Sequence, residues 1–323
     1  MNKQVIFAAL FALCLSATQV KPSLAQGPVQ QPIDGTAPTT PAPTTAGPVA
    51  APINNVLPLN ADQYTDEQVK SLGQGPAFPY TLLETALSGD DKDPAVNEKG
   101  AVNYNKLQLN QDLALFNRAV GLADLTQFPV FKDKDEDGKV VIDNKSELAF
   151  WINAYNGLFL KAIATAYPVK QISQIKDLQT AKRLVGGKTY TFPEMRDKIA
   201  ALDARAMFTL VDGTIYGPRV PKSAYRYFGL GTQMNNAIRG FITDPIRVPV
   251  PNRLDKTVFV SPWMETIDSY YKKGATKTKY SGVRNILTAY ATSSALRNYY
   301  GSGDYEVRFF PPNDTINDTL NAL

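Results

Sequence analysis

The sequence contains no histidine, and its only cysteine is Cys14. Without histidine, the Ser-His-Asp and Cys-His arrangements that activate many enzymatic nucleophiles cannot form. The chain also lacks a G-x-S-x-G nucleophile elbow, and Gly229-Leu-Gly231 is missing the third glycine of a nucleotide-binding fingerprint. Any acid–base chemistry would fall to Asp, Glu, Lys or Tyr. We therefore expect no cofactor and assign no catalytic residue.

A short apolar run lies near the start of the chain. The run Val5–Ala17 covers about 13 residues, whereas a membrane-spanning helix needs about 20. Lys3 precedes the run and Ser23-Leu24-Ala25 follows it, which is typical of a secretory signal peptide. We predict a signal peptide over residues 1–25, cleavage after Ala25, no membrane span, and a secreted or periplasmic mature protein.

The chain has only a small excess of positive over negative charge. Its 34 Lys and Arg residues stand against 30 Asp and Glu residues, a formal net charge of +4. Removing Lys3 and Lys21 with the signal peptide lowers this to about +2, since each carries one positive charge. Cys14 would be removed as well, leaving no thiol for a disulfide. So small a net charge does not favour nucleic acid as a partner. We expect an unknown ligand or protein of the cell envelope instead.

The rest of the chain divides into a tether and a folded body. Residues 26–57 are rich in Pro, Thr, Ala and Gly, which predicts a disordered tether because such a segment buries too little apolar surface to offset its ordering entropy. Residues 58–323 are predicted to form one helix-rich α+β domain with a small antiparallel sheet. Apolar spacing predicts helices over 66–72, 80–87, 105–122, 193–201, 225–241, 263–272 and 282–299. Short β-like runs are 188–192, 205–211, 257–261 and 305–310.

One further helix, Asn144–Pro168, is predicted to form the centre of this domain. Asn144 and Glu147 fit a capping box, and Pro168 ends the helix. Nearly every face between them is apolar, as in a helix buried inside a protein. The structural core residues assigned to it are Trp151, Asn153, Tyr155 and Asn156. The two asparagines share one face, so we expect their amides to hold neighbouring backbone by hydrogen bonds.

An acidic run precedes the central helix. Residues 133–140 spell the opening of an EF-hand calcium loop, D-x-D-x-D-G-x-V, in which Asp133, Asp135 and Asp137 can converge on a hard cation. The twelfth position, where the loop needs a bidentate glutamate, is Asn144. We therefore predict a solvated acidic turn and no metal site, with a calcium-stabilised structural protein as the alternative.

The run Ala149–Asn156, A-F-W-I-N-A-Y-N, resembles the hallmark of the domain-of-unknown-function 547 (DUF547) family. The resemblance extends upstream to Val102-Asn-Tyr104 and downstream through Gly186-Gly187 to Pro218-Arg219. It covers about residues 78–320 and implies that residues 58–323 form a DUF547-like globular domain.

This chain departs from the family at the family's cysteines and histidines. A family Glu-His pair falls at Arg196-Asp197, a histidine falls at Met207, and cysteines fall at Asp212 and Gly217. If those family residues form a nucleophilic or metal site, the resemblance implies that this member has lost it.

The altered segment also carries the candidate binding residues. These are Arg205, Asp212 and Arg219, chosen because arginine forks match carboxylates well. A structural salt bridge among them is the alternative interpretation. Our leading hypothesis is a non-catalytic binding or interaction module with its site in a cleft between the central helix and the 205–219 segment. The competing hypothesis is a cell-envelope hydrolase that uses Ser and Lys, or carboxylates such as Asp212 with Glu194, in the same cleft.

Overall fold

A computed structural model of the protein describes residues 60–89, 93–134, 140–272 and 278–320. The side chains of residues 131–134 and 140–142 lie outside this description. The predicted signal peptide (1–25), the predicted tether (26–57) and the carboxylates of the calcium alternative also fall outside it. All of the described residues belong to one compact unit.

Helices dominate the described residues. The α-helices are α1 (Asp66–Ser71), α2 (Tyr80–Ser88), α3 (Tyr104–Gln108), α4 (Gln111–Gly121), α5 (Lys145–Ala166), α6 (Phe192–Leu202), α7 (Leu230–Ile242), α8 (Pro262–Ile267), α9 (Ser281–Tyr290) and α10 (Ser294–Ser302). The strands are β1 (Phe131–Lys134), β2 (Val140–Asp143), β3 (Arg183–Val185), β4 (Lys188–Tyr190), β5 (Thr257–Val260) and β6 (Glu306–Phe309). The predicted helix-rich α+β class is confirmed.

Helix α5 is the longest of these, at 22 residues. It packs against α2, α3, α4 and α6, so it is covered on several sides. Trp151, Tyr155 and Leu160 on this helix are 0% exposed. A helix covered in this way must be apolar on most of its faces, which is what its sequence shows.

The start of α5 differs from the prediction. Asn144 precedes the helix, but its φ of −107° and ψ of 21° are not the extended conformation of a capping residue, and its side chain makes no capping hydrogen bond. The predicted capping box is therefore wrong. Asp143 instead accepts the N–H of Lys145 through Oδ1 at 2.9 Å. The carboxylate of Glu147 accepts the indole N–H of Trp151 at 3.1 Å.

Two segments predicted as single helices are each broken by an internal cap. Residues 105–122 divide into α3 and α4, because the side chain of Asn110 accepts the N–H of Leu113 and starts a new helix. Residues 282–299 divide into α9 and α10 in the same way, with Ser293 accepting the N–H of Leu296.

The strands form three separate pairs. β1 pairs with β2 and β3 pairs with β4, both antiparallel, and Gly186-Gly187 turns between β3 and β4 with positive φ at both residues. β5 and β6 are parallel, so the prediction of antiparallel pairing does not extend to them. Helices α8, α9 and α10 lie between β5 and β6 in the chain, and such a long connection permits the parallel arrangement.

Residues 205–211 are not a strand, although their apolar alternation predicted one. Most of them lie in a 3-10 helix over Ala204–Thr209. At the start of this helix, the side chain of Asp203 accepts the N–H of Arg205. Met207, Phe208 and Leu210 are at most 1% exposed. Burial of this segment explains the apolar run without a strand, because a short buried turn and a short buried strand share the same composition.

Candidate functional site

Two asparagines of α5 position the segment that follows the 3-10 helix. Asn156 donates through Nδ2 to the carbonyl of Thr209 and accepts the N–H of Val211, both at 2.9 Å. Asn153 donates to the carbonyl of Tyr225 at 2.7 Å and accepts the N–H of the same residue at 2.9 Å. Both side chains are almost fully buried, so these bonds replace the water that the backbone groups lose.

The expected cleft between α5 and the 205–219 segment is closed along its first half. Residues 206–211 are buried, with Thr209 and Val211 held directly on α5. Open space lies further along, in a cavity of about 260 Å³ that we call the arginine cavity. Its lining includes Lys99, Ile215, Arg219, Asp244, Arg247 and Asn317.

One buried carboxylate in this cavity is shared by two arginines. Arg219 donates to Asp244 Oδ2 through Nε at 3.2 Å and through Nη2 at 2.8 Å. Nη1 of Arg247 donates to the same oxygen. The side chains of Asp244 and Arg247 are 2% and 5% exposed, whereas the side chain of Arg219 is 51% exposed. Arg219 is thus the member of the cluster that faces solvent.

Local chain geometry places this cluster. Asp244 lies two residues after the end of α7. Its carboxylate accepts the N–H of Ile246 at 3.0 Å, which forms a tight turn that brings Arg247 back toward it. Nε of Arg247 donates to the carbonyl of Gly217. The backbone N–H of Ser261 donates to the carbonyl of Arg247 at 2.8 Å. Arg247 therefore joins three separate segments and is held rigidly.

The electrostatics of the cavity are positive. Lys99, Arg219 and Arg247 contribute three positive charges and Asp244 contributes one negative charge, a formal sum of +2 among the charged lining residues. Burial acts to raise the pKa of Asp244, but hydrogen bonds from Arg219 and Ile246 and the charges of the two arginines outweigh it and keep that pKa below its usual value. Asp244 stays ionised, and it offsets only part of the surrounding positive charge.

Asp212 lies beside this cluster. Its carboxylate accepts the N–H and the hydroxyl of Thr214, at 2.8 and 2.9 Å. Burial is the largest influence and raises the pKa of Asp212 to about 6, against the opposing effects of Thr214, Arg247 and Arg196. A carboxyl group with this pKa changes its charge close to neutral pH.

Asp212 occupies the space that a side chain at Gly217 would need. A Cβ atom added to Gly217 would lie 1.6 Å from Oδ1 of Asp212, far inside van der Waals contact. The observed position of the Asp212 carboxylate therefore requires a residue without a side chain at position 217. These are the two positions at which the resemblance noted in the sequence implies family cysteines.

The predicted binding residues do not form one ion pair. Arg205 hydrogen-bonds to Asp203 through Nε and Nη2, and Arg219 pairs with Asp244. The charges that act on Asp212 include those of Arg247 and Arg196. Arg219 thus lines the cavity, Asp212 stands behind it, and Arg205 pairs elsewhere.

The suggested pair of Asp212 with Glu194 is not a contact in the described structure. Glu194 lies in the first turn of α6, where its carboxylate accepts the N–H of Thr191 at 2.7 Å. Thr191 in turn accepts the N–H of Glu194, so this pair forms a capping box for α6. Capping accounts for Glu194, and the carboxylate pair of the hydrolase hypothesis is left without its second member.

Sequence reasoning missed Asp244 and Arg247. The available signal was Asp244-Pro245 directly after an amphipathic helix, a combination typical of a turn. It predicts the turn but not the partner, because Arg219 lies 25 residues away in the chain.

The described residues also bear on two other kinds of site, a membrane span and a metal centre. None of the helices in that part of the chain is both long and apolar enough to span a bilayer. The same residues contain no group of three or more Asp, Glu or Cys side chains placed to hold a metal ion.

Comparison with known proteins places only part of the site, Ile215 and Arg219, within a family region. Residues 141–242 match the family model described as "Protein of unknown function, DUF547", which confirms the resemblance seen in the sequence. The matched region includes α5, both asparagines and Arg219, and it ends shortly before Asp244. No curated protein and no solved structure matches this chain.

Proposed function

We propose that this chain, in which residues 141–242 match the DUF547 family model, is a secreted or periplasmic, non-catalytic module that binds an anionic ligand in the arginine cavity. The observation that carries the proposal is the sharing of Asp244 by Arg219 and Arg247. Two guanidinium groups on one carboxylate give the cluster a formal charge of +1, and the charge of Asp212 beside it acts on Arg247 and offsets part of this when Asp212 is ionised.

An incoming anion would meet Arg219 first. Its side chain is half exposed, yet two of its nitrogens are fixed on Asp244, so the planar guanidinium is already oriented. Arginine presents its donors in a rigid fork that matches the oxygens of carboxylate and phosphate groups. Little conformational entropy is lost when a preordered donor binds, which favours affinity.

The absence of histidine from the whole sequence supports binding over catalysis. With the predicted cleavage after Ala25, the mature chain would also have no cysteine. The predicted signal peptide supports an extracytoplasmic location, where small anions and anionic envelope components are available as ligands.

Calorimetric titration with inorganic phosphate at low ionic strength tests the proposal. We expect saturable binding to the wild type and at least tenfold weaker binding to Arg219→Gln, because charge-assisted hydrogen bonds contribute about 1.5–3 kcal/mol. The folded state of the variant is checked by circular dichroism, since Arg247 still pairs with Asp244.

Arg308→Gln is the matched control. The side chain of Arg308 is 55% exposed, close to the value for Arg219, but it pairs one-to-one with Glu306 on β6. We expect phosphate affinity to stay within twofold of the wild type in this variant. No phosphate binding to the wild type, or equal weakening by both substitutions, would refute the anion-binding function.

A further inference from the structure

A second cavity adjoins the arginine cavity. It has a volume of about 340 Å³, and Arg219 lines both cavities. The residues that give it its character are Phe208, Val220, Ala224, Ala237, Gly240 and Phe241. We call it the apolar cavity, because these six side chains carry no polar group.

Helix α7 forms one wall of the apolar cavity, and two residues with short side chains on this helix leave the cavity open. Ala237 and Gly240 lie three apart and therefore on one face of the helix. A Cβ atom added to Gly240 would have no heavy atom within 4 Å. Glycine at this helical position is not required by close packing, and it leaves space above the helix surface that a ligand can fill.

Five of the twelve residues that line this cavity carry polar side-chain groups: Arg219, Ser223, Tyr225, Gln233 and Asn236. Gln233 and Asn236 on α7 are among its lining residues, and Gln233 accepts the backbone N–H of Arg226 at 3.1 Å. A mostly apolar surface with a few polar groups and one charged anchor is the usual composition of a small-molecule site. The apolar cavity, at about 340 Å³, lies at the lower end of the range of about 300–1,000 Å³ for small-molecule sites, and the arginine cavity, at about 260 Å³, lies just below that range.

We propose that the ligand is an organic anion in two parts: a phosphate or carboxylate group held at Arg219 in the arginine cavity, and an apolar body seated in the apolar cavity. This inference rests on the proposed anion-binding function and specifies its ligand class. Arg219 is the residue common to both parts, so it orients the anionic group while the apolar body lies along α7.

The probe for this inference is phenyl phosphate, compared with inorganic phosphate by calorimetric titration. The phenyl ring supplies an apolar body and leaves the anionic group in common. We expect the wild type to bind phenyl phosphate at least tenfold more tightly than inorganic phosphate, since burial of an apolar group adds favourable transfer free energy.

Gly240→Leu is the informative variant. The Cβ atom of a leucine here has no heavy atom within 4 Å, and its side chain would extend into the apolar cavity that Gly240 lines. We expect this variant to lose the preference for phenyl phosphate while its affinity for inorganic phosphate stays within twofold of the wild type. Gly231→Leu is the control, because Gly231 also lies in α7 with no heavy atom near an added Cβ, but it does not line either cavity.

The outcomes separate the two proposals. Equal wild-type affinities for the two anions, or the same response in Gly240→Leu and Gly231→Leu, would overturn the two-part ligand and leave anion binding intact. Absence of binding by both anions would overturn the proposed function itself. Arg219→Gln is expected to weaken both anions together, because the anionic group is common to them.

Discussion

At the scale of single residues, Asn153 and Asn156 of α5 make the same kind of hydrogen-bonded contact. Each presents one amide to the backbone of another segment and both donates to it and accepts from it. A primary amide is the shortest side chain that offers a donor and an acceptor side by side. This explains why two polar residues occur in a helix that is otherwise apolar.

Asn153→Leu is expected to lower the free energy of unfolding by about 2–4 kcal/mol, because it leaves the N–H and the carbonyl of buried Tyr225 without partners. Urea unfolding and the melting temperature measure the loss. Asn298→Leu, at an exposed position of α10, is the control and is expected to change the value by less than about 0.5 kcal/mol. An unchanged melting temperature in Asn153→Leu would return Asn153 to the candidates for a functional role.

Asp212 makes stability depend on pH. Its pKa is about 6 in the folded protein and about 3.9 in an unfolded chain, so the folded state keeps its proton over a range where the unfolded state has lost it. The contribution to stability is complete below pH 4 and is lost as the pH rises through 6, an effect of about 2–3 kcal/mol.

Asp212→Asn is expected to remove this dependence. From pH 4 to pH 7, the unfolding free energy of the wild type should fall by about 2–3 kcal/mol relative to that of the variant. Urea unfolding at pH 4, 5.5 and 7 provides the measurement. Asp304→Asn, whose side chain is 68% exposed in the wild type, is the control. Parallel pH profiles for wild type and Asp212→Asn would contradict the assignment.

At the scale of elements, the packing of α4 on α5 depends on Gly157. A Cβ atom at this position would lie 2.6 Å from a ring carbon of Phe116, and the carbonyl of Gly157 accepts a hydrogen bond from Asn117 at 3.1 Å. The two helices therefore approach closely at a point where only hydrogen fits.

Gly157→Ala is expected to destabilise the protein by about 1–3 kcal/mol, because overpacking outweighs the better helix propensity of alanine. Gly231→Ala in α7 has open space and is expected to stabilise the protein by about 0.5–1 kcal/mol. Chemical denaturation of both variants tests the pair. Stabilisation by Gly157→Ala would show that the helices can separate at no cost.

At the scale of the whole molecule, the C-terminal segment connects regions that are distant in sequence. Asn317 accepts the N–H of Val102 through its carbonyl and donates its own N–H to Gly213. Its side chain donates to the carbonyl of Gly100 at 2.7 Å. The backbone N–H of Ile316 donates to the carbonyl of Lys170 at 3.0 Å. The last segment thus completes backbone pairing for three other parts of the chain.

Removal of residues 314–323 is expected to lower the unfolding free energy by at least about 4 kcal/mol, since several buried backbone groups lose their partners at about 1–3 kcal/mol each. Far-ultraviolet circular dichroism and tryptophan fluorescence in urea follow the transition. Leu320→Ser is the control, because Leu320 is 84% exposed, and it is expected to change stability by less than about 0.5 kcal/mol. A truncated chain as stable as the wild type would contradict this role.

Much of the architecture could be predicted because it depends on local patterns. Nearly uniform apolarity predicted that α5 is buried, and Gly186-Gly187 predicted the turn between β3 and β4. Local patterns failed where two structures share a composition, as in residues 205–211. They also failed for the pairing direction of β5 and β6, which the path of the intervening helices decides.

The sequence by itself determined the resemblance to the DUF547 family over residues 141–242, the helix-rich class, the buried α5 and the lack of histidine chemistry. Each of these depends on residue types or on spacing along one segment. Tertiary structure alone decided that Arg219 and Arg247 share Asp244, that Asp212 fills the space beside Gly217, and that two cavities meet at Arg219. The physical reason is that charge pairing and steric fit depend on distances in space, which sequence separation does not specify.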